Sequence, residues 1–77
     1  MTTIYTVVHH EDAKWMLADG GDEYCNATWH AVKHQFYDLD AAKSTVNAGP
    51  KQYVLLSTRL ENGKRYWDEL IPTKIPH

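Results

Sequence analysis

A chain of 77 residues with a net charge of −2 forms one small domain, which leaves no room for a second lobe or a deeply enclosed active site. Its apolar content of 43% with 23% charged residues is that of an ordinary folded domain and too apolar for a disordered tail. No basic start followed by an apolar run marks a signal peptide, no stretch approaches the roughly 18 apolar residues of a membrane span, and the lone Cys25 cannot close an internal disulfide, so a cytoplasmic protein is expected.

The charge is unevenly spread along the chain. Residues 1–40 hold seven acids (Glu11, Asp12, Asp19, Asp22, Glu23, Asp38, Asp40) against Lys14 and Lys33, or −5. Residues 41–77 hold six bases against Glu61, Asp68 and Glu69, or +3. A nucleic-acid binder normally gathers Lys and Arg on one face of a basic domain, which disfavours that class here.

In chain order, "TTIYTVV" opens as a strand on its β-branched and aromatic content. "HEDAKWMLADGG" fits two templates: the alternation of Lys14, Met16 and Ala18 with Trp15 and Leu17 suits a strand, and the composition suits a helix over 11–19 stopped by Gly20-Gly21. The strand is preferred, because an isolated hairpin further along needs partners. "TWHAVKHQFYD" is equally two-sided. As a helix it aligns Cys25, Trp29, Val32 and Phe36 and sets His30 about 6 Å along the axis from His34, within reach of one zinc ion. As a strand it separates the two histidines by roughly 13 Å, which no single ion spans. An extended approach into the capping residue Asp38 favours the strand.

The next segment is firmer. In "DLDAAKSTVNAGP", Asp38 is placed to cap a helix over 39–48. Asp40 suits its positive end, Gly49-Pro50 stops it, and Leu39, Ala42 and Val46 form its apolar side. Tyr37 and Ala42 occupy the positions of a hydrophobic staple. Beyond it, Asn62-Gly63 between two strand-like runs is the strongest short hairpin signal, since both residues tolerate positive φ. A two-residue turn pairs Leu60 with Arg65, Thr58 with Trp67, Leu56 with Glu69 and Val54 with Ile71. It places Val54, Leu56, Leu60, Trp67 and Ile71 on a core face. Residues 72–77, with Pro72 and Pro76, read as a loose tail.

The expected fold is thus α+β: a small antiparallel sheet in the order β-β-β-α-β-β with one short helix on one face. A sheet edge is expected to be open to pairing in a homodimer, with Tyr53 to Leu56 as the candidate segment.

No residue pattern nominates a reaction. Cys25 with a nearby histidine lacks any supporting third group, and "ADGGDE" lacks the Lys-Ser/Thr of a phosphate loop. Neither CxxC nor HExxH accompanies the histidines, so no metal and no cofactor is expected. The unusual feature is nine aromatic rings in 77 residues (three Trp, five Tyr, one Phe), more than so thin a core encloses. Exposed Trp and Tyr beside charge are typical of protein-contact hot spots. The expectation is a non-enzymatic protein-binding module, a stoichiometric inhibitor or adaptor that occupies a basic surface of a partner. Phages and mobile elements encode such chains against host or defence nucleic-acid machinery, anti-CRISPR proteins among them. The contact is assigned to Asp12, Asp19, Asp22 and Glu23 with Trp15, Tyr24 and Trp29. A small metal-binding or single-stranded nucleic-acid-binding domain is the alternative.

Overall fold

A computed structural model describes residues 2–19 and 31–73. In chain order the elements are β1 (Thr2–His9), α1 (His10–Asp19), β2 (His34–Phe36), α2 (Leu39–Ala48), β3 (Tyr53–Glu61) and β4 (Lys64–Ile71). The four strands form one antiparallel sheet in the order β2-β1-β3-β4. The α+β architecture is as expected, but among the described residues the element order is β-α-β-α-β-β, and two helices rather than one pack on the sheet. Alternation along the strands sends Val8, Leu56 and Trp67 to one side, where Ala13 and Met16 of α1 meet them with Ala31. Val7 and Leu55 point to the other side and are covered by Ala42 and Val46 of α2. Both faces are therefore core.

Residues 11–19 thus lie in a helix, which corrects the preferred strand. The hairpin does need a partner, and β1 supplies it: β1 runs along β3 from Thr2↔Leu60 to His9↔Tyr53. With the sheet complete, helix formers such as Ala13, Lys14, Met16 and Leu17 are free to coil. His9 aids the start, its Nδ1 accepting the Glu11 amide at 3.2 Å in the manner of a capping side chain. Glu11 and Asp12 in the first turn favour the positive helix end. Within residues 28–37, strand is found at His34–Phe36, paired with β1 at Val7, Thr6 and Tyr5. Cys25, Trp29 and His30 lie outside the described residues.

The α2 helix matches its expected span, and Asp38 caps it in extended conformation (φ −89°, ψ 121°), accepting the Asp40 amide. The staple does not form, because Tyr37 stands 77% exposed. At the hairpin, Asn62 (φ 53°) and Gly63 (φ 77°) take the left-handed angles of a type I′ turn. The pairs Leu60↔Arg65 and Thr58↔Trp67 form as expected. Past them the ladder slips: Ser57 faces Glu69, Leu56 faces Leu70 and Leu55 faces Ile71. Asp68 is the extra residue of a β-bulge, so Leu56–Glu69 and Val54–Ile71 do not pair, and Ile71 joins Leu55 on the α2 side. Tyr53 to Leu56 also proves not to be an edge, since β3 lies between β1 and β4.

Two threonines sit fully buried on the α1 side, Thr6 and Thr58, with their hydroxyls 2.9 Å apart; Gln35 Nε2 also donates to Thr6 Oγ1. Each buried hydroxyl is thereby satisfied. Thr6→Val keeps the shape but leaves the Thr58 hydroxyl without its partner, and should cost about 1–3 kcal/mol. Adding Thr58→Val removes the stranded group, so the double variant should be more stable in urea unfolding than Thr6→Val alone. Additive losses would show that the pair is not coupled.

Candidate functional site

The candidate contact centres on α1. Ala13 and Met16 are buried, so the helix presents Glu11, Lys14, Trp15 and Ala18 outward. Trp15 is 38% exposed, and its indole Nε1 donates to Asp12 Oδ1 at 3.2 Å. That bond satisfies the polar edge of the ring within the helix, so the exposed part of the ring needs no further polar partner. Asp12, Trp15 and Asp19 follow one another at i, i+3 and i+7, the spacing of a single helix face. Of the residues assigned to the contact, these three are brought together on one element. Asp22, Glu23, Tyr24 and Trp29 lie outside the described residues.

The acids of α1 differ in what accounts for them. Glu11 and Asp12 sit in the first turn, where negative charge contributes about 0.3–1 kcal/mol to the helix. Asp19 is the last residue of the helix, the end at which an acid is unfavourable, and the last turn holds no basic residue. Helix stability therefore gives no reason for an acid at position 19.

Of the other described rings, Trp67 is buried, whereas Tyr5, Phe36, Tyr53 and Tyr66 are half-buried. Trp67 thus takes the core place expected of it, and several rings do reach the surface.

A second acidic zone, on the α2 side, escaped the sequence reading. An open cleft of about 440 Å³ is lined by Tyr5, Leu39, Ser57, Asp68, Glu69 and Ile71, among others. Asp38 and Asp40 flank Leu39 in sequence. Beside the cleft Arg59 reaches the Glu61 carboxylate at 2.8 Å and that of Asp68 at 3.5 Å, and lies 4.6 Å from the centre of the Tyr66 ring. Most of these acids have local employment: Asp38 caps α2, Asp40 lies in its first turn, and Asp68 is held by Arg59. The only signal for this cluster was the bulge at Asp68, which no residue pattern announced.

Among the described residues no three or more His, Cys, Asp or Glu gather as a metal site. His34 lies on a strand, and His9 stacks on His10 at 4.7 Å with its Nδ1 occupied by the Glu11 amide. No helix of the described residues is long and apolar enough to cross a membrane. No family model, no curated protein and no solved structure matches the chain.

Proposed function

We propose that this protein is a non-enzymatic binding module that acts stoichiometrically by occupying a basic surface of a protein partner, with α1 as its contact element. The observation that carries the reading is Trp15: an exposed indole whose N–H is already engaged by Asp12, on a helix whose last residue is the acid Asp19. Charge of this sign steers the encounter with a cationic patch, and the ring supplies the buried anchor once water is expelled. The acids from Glu11 to Glu23 concentrate that charge in one stretch of chain. Surfaces that grip nucleic acid are basic, so host or defence nucleic-acid enzymes, CRISPR effectors among them, fit the terms of the target.

The reading is tested by affinity capture from native host cells at two salt concentrations. One dominant partner should be retained by the wild-type chain and lost by the Asp22→Lys/Glu23→Lys variant. The wild-type complex should also weaken as salt rises, because exposed charges are screened within about 8–10 Å at physiological ionic strength. Capture that ignores both the charge reversal and the salt would sink it.

A further inference from the structure

β4 is an outer strand: β3 pairs with one side of it, and no described strand pairs with the other. Backbone donors and acceptors along its eight residues therefore face away from β3, paired by no described strand. At its end Leu70 is 50% exposed, beside an apolar notch of about 240 Å³ formed with Val54, Ile71, Pro72 and Thr73.

The charge order of the strand says what fits there. It begins with Lys64 and carries Glu69 towards its end, both exposed and neither in an ion pair among the described residues. Five positions apart, these two side chains would point to opposite faces of a regular strand. The bulge changes that. Lys64 lies across from Glu61, Tyr66 from Arg59 and Glu69 from Ser57, so all three stand on the α2 side, with Asp68 as the extra residue. A second β4 laid antiparallel, with the two Tyr66 residues facing each other, sets each Lys64 opposite the other copy's Glu69. Parallel pairing would set like charge against like.

We propose that β4 is a self-association edge, at which two copies of this chain pair antiparallel about a two-fold axis at Tyr66 and continue the sheet from one protomer into the next. The same patch serves both copies, as a two-fold interface requires. This inference is independent of the α1 contact, which lies on a separate element.

Sedimentation equilibrium from micromolar to millimolar protein tests it, with circular dichroism to establish that each variant is folded. The wild-type mass should rise from 8.9 kDa towards twice that value. Glu69→Lys should weaken association by about tenfold or more, since like charges then face each other at both ends of the seam. Lys64→Glu added to Glu69→Lys should restore it. A wild-type chain monomeric over the whole range, a Glu69→Lys variant that associates as the wild type does, or a double reversal that fails to recover would each overturn the proposal.

Discussion

Replacing Trp67 with alanine should cost the domain a large fraction of its stability. Trp67 is 3% exposed at the centre of the α1-side core, against Val8, Ala13, Met16 and Leu56. Truncating a buried tryptophan costs about 3–5 kcal/mol, part lost transfer energy and part cavity. A 77-residue chain at roughly 0.05–0.15 kcal/mol per residue has a total stability of only about 4–12 kcal/mol, so the loss is a large fraction of the whole. Phenylalanine is the informative comparison. The Trp67 indole N–H is buried without a hydrogen-bond partner among the described residues, and a stranded donor costs about 1–3 kcal/mol. Trp67→Phe deletes that donor while keeping an aromatic ring, so the two effects oppose each other. Its urea midpoint should fall far less than that of the alanine variant. Equal losses would mean that a smaller ring does not fill the site and that deleting the donor relieves nothing.

The second large effect concerns binding. With the captured partner in hand, Trp15→Ala should raise the dissociation constant by about 30-fold or more, corresponding to the roughly 2 kcal/mol of a hot-spot anchor. Its effect on stability should be small, since Trp15 is not part of the buried core. Asp19→Lys separates the two roles more sharply. Reversing the charge at the last residue of α1 should stabilise the fold by about 0.3–1 kcal/mol while weakening association, most at low salt. A change in stability and affinity in the same direction would show that Asp19 serves the helix or nothing at all, and would remove the α1 contact from consideration.

What could be read from the residues divides by range. The α2 helix was legible to its ends because its signals are local: a capping Asp38, an apolar spacing of three and four, and a Gly-Pro stop. The hairpin turn was legible for the same reason, since Asn62-Gly63 is chosen by backbone sterics at two adjacent positions. The α1 segment was misread because both templates fitted it, and the deciding fact lay elsewhere, in the pairing of β1 with β3. The slip at Asp68 was invisible because a bulge adds a residue without any compositional mark, and one residue is enough to send Ile71 to the opposite face. The site follows the same division. Trp15, Asp12 and Asp19 were nominated from composition and fall on one helix, whereas the Arg59 cluster unites residues whose neighbourhood depends on that slip.

The pairing of β1 with β3 also bears on when this molecule can acquire its structure. β1 leaves the ribosome first, yet it occupies an interior lane of the sheet, and its buried Thr6 waits for Thr58, 52 residues later. Until that hairpin emerges, the nascent segment has no long ladder to join, and Val7 and Val8 stay wet. Assembly is therefore expected to be a nearly all-at-once event that waits for the hairpin, slowed by closing so long a loop.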